Sequence, residues 1–161
     1  MKAILATCLS FVASQSLALT CMAPDVADTF KRYQSVPETY VIVHGVLDFD
    51  QSKMPEYGWH DPDAGVPGTR LDARLRGRTL TLQGYSVPFD REIIFNVVCI
   101  QSWCPEVETG STVLAFVEVI GGDYVFSLGA CFSRGFFDPD EATLDTAKSC
   151  MRGEACDPKF Q

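Results

Sequence analysis

The placement of seven cysteines in 161 residues constrains this chain more than any other feature. Cys8 lies in an N-terminal leader, and the other six, Cys21, Cys99, Cys104, Cys131, Cys150 and Cys156, lie beyond it. In the leader Lys2 is the only charge, residues 3–13 form a short apolar run, and Ser16-Leu17-Ala18 sets small residues at the spacing read by signal peptidase. Cleavage is expected after Ala18, so residues 1–18 form a signal peptide and Cys8 is lost with it. Thr20 before Cys21 departs from the small residue that lipidation signals place there. An even number of thiols then enters an oxidising compartment, periplasmic or secreted, where thiols pair as disulfides. Parity alone leaves every pairing open.

Removing the leader leaves 12 basic against 21 acidic residues, a net charge of −9. That balance argues against nucleic acid and against anionic membrane surfaces, which both reward concentrated positive charge. No later segment reaches the roughly 18 uninterrupted apolar residues of a membrane span. Residues 19–161 suffice for one compact domain with a real core, whereas two domains would each be too thin. Repeats, low-complexity tracts and linkers are lacking. The longest unpatterned stretch, residues 50–69, carries three prolines and three glycines around Tyr57-Gly58-Trp59-His60 and reads as a surface loop.

Helices are expected at both ends, with strands between them. Pro24 suits a first helical position, Asp25 and Asp28 favour the positive end of a helix dipole, and Val26, Ala27, Phe30 and Tyr33 recur at helical spacing. Residues 40–49 are β-branched and apolar. Residues 69–75 and 79–85 alternate on either side of Arg76-Gly77-Arg78, which predicts a hairpin turning at that tripeptide. Residues 92–100 are apolar on both faces and read as a central strand, while 112–120 and 124–130 flank Gly121-Gly122-Asp123 as a second hairpin. Asp138-Pro139-Asp140-Glu141 opens a second helix that buries Leu144, Ala147 and Met151 and stops at Gly153. Short strands with turn signals suit closure better than an open sheet, because closure removes edges. The fold expected is mainly β: a five- to six-stranded OB-like Greek-key barrel flanked by an N-terminal and a C-terminal helix.

The order Cys21, Pro24, short helix, the strand Val41-Ile42-Val43-His44-Gly45-Val46, then the hairpin Val113-Leu114-Ala115-Phe116-Val117 to Tyr124-Val125-Phe126-Ser127-Leu128 ending at Cys131 resembles the netrin-like module. That module is the OB-type barrel of tissue inhibitors of metalloproteinases and of related modules in secreted proteins. The resemblance covers residues 21–131. It implies that the leading cysteine is tied to the barrel by a disulfide, which gives Cys21 the partner Cys131 or Cys104. The inhibitors begin Cys-x-Cys and chelate zinc through the free amino group and carbonyl of the first cysteine, whereas Cys21-Met22-Ala23 lacks the second thiol. With Leu19 and Thr20 ahead of Cys21, that chelation is blocked, so the resemblance carries the fold and not the inhibition. The pairing expected is Cys21 with Cys131, Cys99 with Cys104 across a tight loop, and Cys150 with Cys156 at the end of the last helix.

None of the candidate chemical groups assembles a catalytic set. Cys99-x4-Cys104-Pro105 beside Trp103 departs from the Cys-x-x-Cys of redox enzymes. His60-Asp61-Pro62-Asp63-Ala64-Gly65 begins like a calcium loop but lacks the later ligands. His44 and His60 are the only histidines, too few for a histidine-rich metal site, and Gly-x-Ser-x-Gly is missing. The carboxylate pairs Asp48 with Asp50 and Glu106 with Glu108 read as solvated. Catalytic residues, cofactors and metals are therefore not expected.

Two surface features remain. Arg70, Arg74, Arg76 and Arg78 occupy even positions opposite Leu71, Ala73 and Leu75, so a regular strand puts the guanidinium groups on one outer face that suits a carboxylate or phosphate. The alternative is a solvated strand whose charge Asp72 and nearby acids absorb. Phe132-Ser133-Arg134-Gly135-Phe136-Phe137 concentrates three aromatics in a segment read as irregular, either packed under the last helix or facing a partner. The leading reading is an exported, non-catalytic binding module for a protein or an anionic glycan. A protease inhibitor working through its N-terminal segment comes second, and an enzyme with a concealed site third.

Overall fold

The computed structural model describes residue 21 and residues 24–55, 68–100, 103–131 and 134–159. The leader, the expected mature start at Leu19, the His60–Gly65 turn and Phe132 with Ser133 lie outside the described residues.

The elements in chain order are α1 (Val26–Gln34), β1 (Thr39–Phe49), a short 3-10 turn (Gln51–Lys53), β2 (Thr69–Thr81), β3 (Gly84–Val98), β4 (Ser111–Ile120), β5 (Asp123–Gly129), β6 (Gly135–Phe137) and α2 (Glu141–Met151). Five strands close into a ring in the order β1-β2-β3-β5-β4, and β1 pairs with β4 over Thr39–Leu47 to complete it. Among the described strands, only β3 and β5 pair in parallel. This is the closed, mainly β barrel with end helices that the strand count predicts. β6 is the sixth strand. The β4–β5 ladder covers only Glu118–Ile120 before β5 crosses to β3, and β6 takes up the vacated half of β4 at Val113–Ala115. The segment containing Phe136 and Phe137 is therefore a strand rather than irregular backbone.

The expected turn at Arg76-Gly77-Arg78 does not exist. β2 runs straight through it and the chain reverses at Leu82 and Gln83, inside the predicted 79–85 strand, and β3 is one strand of 15 residues that runs from there into the predicted 92–100 strand. Gly77 serves close approach instead: it pairs directly with Gly45, and a Cβ on Gly77 would lie 2.1 Å from the His44 carbonyl oxygen. The first half of β3 pairs only with β2, since β5 joins at Ile94, so Pro88 stands on a local edge, where proline is tolerated in a sheet.

Alternation along the strands separates two cores. Val43, Leu47, Leu75, Phe95, Val97, Val113, Phe126 and Leu128 fill the barrel. Ile42, Leu114 and Phe116 point outward from β1 and β4 and are covered by Val26, Ala27 and Phe30 of α1 and by Ala147 and Cys150 of α2. Capping sets both helices. The Asp25 carboxylate accepts from the Ala27 and Asp28 amides at 2.8 and 3.0 Å, so Asp25 is the N-cap and Pro24 precedes the helix. Asp140 accepts from the Thr143 amide at 2.8 Å, and Gly153, at φ 73°, ends α2.

The disulfides are Cys21–Cys131, Cys99–Cys104 and Cys150–Cys156, with Cα separations of 5.4, 4.2 and 4.8 Å. The first ties the start of the chain to the end of β5. The third turns the tail after α2 back on α1, where the Lys159 amide donates to Asp25 at 3.0 Å.

Candidate functional site

The two helices cover the outer side of β1 and β4 and the hairpin end of β2 and β3 at Leu80 and Tyr85, while Asp48 of β1, Arg74, Arg76 and Arg78 of β2 and Asp90 and Glu92 of β3 stand on an outer face that is largely exposed among the described residues. The arginines sit on this face. Arg70, Arg74, Arg76 and Arg78 are exposed and alternate with buried Leu71, Ala73 and Leu75, as period-2 alternation predicts. Register determines their neighbours. Arg74 lies between Asp48 of β1 and Glu92 of β3, and Arg76 lies opposite Asp90.

These neighbours neutralise the face. Arg74 grips Asp90 with two bonds, Nε to Oδ1 at 2.7 Å and Nη2 to Oδ2 at 3.0 Å. The Arg74 bond holds the Asp90 carboxyl below its ordinary range, and Asp90 in turn raises the guanidinium. Arg76 donates to Asp48 at 2.6 Å, and Arg78 donates to the Tyr85 and Ser86 carbonyls. The charge is absorbed by Asp48 and Asp90, not by Asp72. Both acids are distant in sequence from the arginines, and only strand register could have found them. Beside this lattice a groove of about 690 Å³ runs from Asp48 and Arg74 past Glu92 to Tyr124 at the β4–β5 turn. Arg70 stands further along, opposite Asn96. Asn96 is 7% exposed, and its Oδ1 has no hydrogen-bond partner among the described residues.

A second polar cluster went unread in the sequence. Arg134 Nε donates to the Tyr33 hydroxyl at 2.7 Å, its Nη1 lies 3.4 Å from Glu118 Oε2, and its guanidinium stands 5.3 Å from the Tyr33 ring centre. Burial, reinforced by Glu118 against the opposing Arg134 charge, pushes Tyr40 up to about 12. This cluster fastens α1 to β1, β4 and the start of β6. Both ionic partners are more than two-thirds buried. Arg134→Met should therefore lower the unfolding free energy by about 2 kcal/mol, with Glu118 left without its partner. Urea titration measures it, and a change within error would mean that the cluster is only decorative.

His44 does not reach a site. It packs edge-on against Tyr85 at 5.5 Å, and its proton affinity is lowered by burial first and by nearby Lys148 second. The folded state therefore resists protonation more than the unfolded chain does. The His44 contribution is fully present above the unfolded value of 6.5 and falls away as pH drops through and below it. Unfolding free energy measured between pH 7.5 and 5 should fall less steeply in His44→Gln than in the native chain.

Among the described residues, no group of three or more His, Cys, Asp and Glu side chains is placed to hold a metal ion. Cys99 and Cys104 are joined to each other. Phe136 packs in the helix-side core and Phe137 against the barrel core, so the described part of the aromatic segment serves packing. Comparison of the chain with protein-family models, with curated proteins and with solved structures found no match.

Proposed function

We propose that this protein is an exported, disulfide-stabilised, non-catalytic binding module that takes a protein ligand on the open face of β1, β2 and β3. The observation that carries the reading is the guanidinium–carboxylate lattice on an exposed sheet face of β1, β2 and β3. Arg74 and Arg76 are fixed by Asp90 and Asp48, so the face offers both signs at set positions. A polyanion must break those pairs to bind. A protein surface of matching mixed charge can add to them, and electrostatic complementarity of that kind favours specificity.

Affinity capture from the exported fraction, with native chain and with Arg74→Gln/Arg76→Gln, tests the reading. A discrete protein enriched by the native chain and lost with the double variant is the expected result. Retention on a heparin-type column should be weak and little changed. Strong, salt-sensitive retention that the double variant abolishes would transfer the face to anionic glycans. The melting temperature of the variant should barely move, because exposed ion pairs contribute little.

The second reading, an inhibitor acting through its N-terminal segment, draws support from the Cys21–Cys131 bridge, which anchors an exposed Cys21 to the end of β5. A mature N-terminus at Leu19 and no inhibition of a zinc protease at micromolar concentration are expected; Cys21 at the mature N-terminus with stoichiometric inhibition would reverse the order.

A further inference from the structure

The helices α1 and α2 share the outer side of β1 and β4 without sealing it. The apolar stripe of α1 runs through Val26, Ala27, Phe30 and Tyr33 and stops at exposed Gln34, the last residue of the helix, while α2 ends at Met151. Between these two helix ends and the sheet lies a hollow of about 270 Å³, walled by Phe30 and Tyr33 of α1, Tyr40 of β1, Leu80 of β2, Phe116 of β4 and Met151. Phe30, Leu80 and Phe116 are buried, and Tyr33, Tyr40 and Met151 are half-buried. Among the described residues, no charged side chain lines it. Three larger hollows, of about 690, 620 and 470 Å³, each carry carboxylates. A concave, mostly apolar lining with a few polar groups is the usual form of a small-molecule site.

The aromatic walls are held from behind. Tyr33 accepts Arg134 Nε on its hydroxyl at 2.7 Å, and the guanidinium stands 5.3 Å from the centre of the Tyr33 ring and 6.0 Å from that of Tyr40. The two tyrosine rings lie 4.5 Å apart, Tyr33 lies 5.7 Å from Phe116, and Phe116 meets Phe30 edge-on at 6.5 Å. These are the separations of interacting aromatic pairs, so each ring braces the next and the hollow keeps its shape. Arg134 is itself paired with Glu118 at 3.4 Å, which leaves no free charge near the rings to receive an ion. Four rings at set positions favour a planar aromatic guest, because ring-on-ring geometry adds to the area buried. Gln34 and Thr79 also line the hollow, and their amide and hydroxyl can meet one polar substituent.

We propose that the hollow between Gln34, Met151 and the sheet is a binding site for a small, uncharged aromatic molecule of one or two fused rings. The guest lies among Phe30, Tyr33, Tyr40 and Phe116, with Leu80 and the adaptable Met151 side chain against its edges, and a single polar substituent meets Gln34 or Thr79. Volume sets the size: an apolar cavity of roughly 150 Å³ holds benzene, so about 270 Å³ admits two fused rings. The lining sets the charge, since an ion entering the hollow gives up its water and finds no opposite charge there. None of the sheet-face arginines lines the hollow, so this site is independent of the protein-binding face.

The test titrates the exported chain, carrying carbon-13 at its methionine methyl groups, with 2-naphthol and follows the methyl resonances. The Met151 methyl should move by ring current with half-saturation at about 0.1 mM, whereas Met54, which packs against the barrel core, should stay in place. Cross-relaxation should join naphthol protons to the Met151 methyl and to the Tyr33 or Tyr40 ring. Naphthalene-2-sulfonate and 1-octanol should each bind about tenfold more weakly or worse, the first for its charge and the second for want of a ring. Leu80→Phe, which sets a ring into the space, should lower naphthol affinity about tenfold, and Arg134→Met, which frees the Tyr33 ring, severalfold. Arg74→Gln/Arg76→Gln should leave it unchanged, which separates failure here from failure of the sheet face. No Met151 shift in millimolar naphthol, equal shifts of Met151 and Met54, sulfonate or octanol bound as tightly as naphthol, or full affinity in a folded Leu80→Phe overturns the proposal. Should Leu80→Phe not fold, the native chain decides, because a lack of cross-relaxation from naphthol to Met151 at saturation overturns it equally.

Discussion

Replacing Cys21 and Cys131 together by serine is expected to lower the unfolding free energy by about 5 kcal/mol, while Cys99→Ser/Cys104→Ser costs about 2. The difference follows from loop length. The first bridge closes a separation of 110 residues and the second one of 5, and cross-linking removes more freedom from an unfolded chain when the loop it closes is longer. The long bridge also holds the approach to α1 against the barrel, so its loss exposes the helix-side core of Val26, Ala27 and Phe30 to opening. Urea unfolding of the two double variants, followed by tryptophan fluorescence and far-ultraviolet circular dichroism, measures both effects. Equal losses in the two variants would show that loop closure does not control stability here.

Gly77→Ala is expected to cost about 3 kcal/mol or to prevent folding. A Cβ at Gly77 would sit 2.1 Å from the His44 carbonyl oxygen and 2.5 Å from the Gly45 Cα, and a Cβ at Gly45 would sit 2.3 Å from the Arg76 carbonyl oxygen. All of these neighbours are backbone atoms in a ladder that runs from Val43 to Phe49, so no side chain can swing away to relieve the contact. Gly84→Ala is the matched control. At φ 83° Gly84 is strained for any residue with a Cβ, but it has nothing within 4 Å, and its loss should be about 1 to 2 kcal/mol from backbone conformation alone. If both variants lost the same amount, glycine conformation rather than strand contact would explain position 77.

These two glycines also mark where reading the chain from local pattern stops. At Gly121-Gly122 the glycines adopt positive φ of 61° and 100° and turn the β4–β5 hairpin, as two flanking alternating runs predict. At Gly77 the same residue type, between arginines that resemble turn flanks, does the opposite job. Nothing within a few residues separates the two cases. What separates them is Gly45 on another strand.

The functional surfaces divide in the same way. That the arginines share an outer face was legible from their even spacing, because side-chain direction alternates whatever the strand pairs with. That they are clamped by Asp48 and Asp90 was not, since those residues lie on different strands and meet the arginines only through the register of β1 on β2 and β2 on β3. Trp103 between cysteines was visible, but its backbone pairing with Ile100 through two hydrogen bonds was not.

The chain by itself therefore determined its strand-rich class, its two end helices, its second hairpin and its outward arginines, all properties of periodicity and local hydrogen bonding, whereas the place of Asp25 as the cap of α1, in front of which Pro24 falls outside the helix, was seen only in the structure. Tertiary structure alone decided which strands close the ring, β1 on β4, the parallel entry of β5 beside β3, the use of β6 to complete β4, and the neutralisation of the arginine face. Each of these depends on contacts between residues distant in sequence, whose energies are set by register and close approach and leave no local trace.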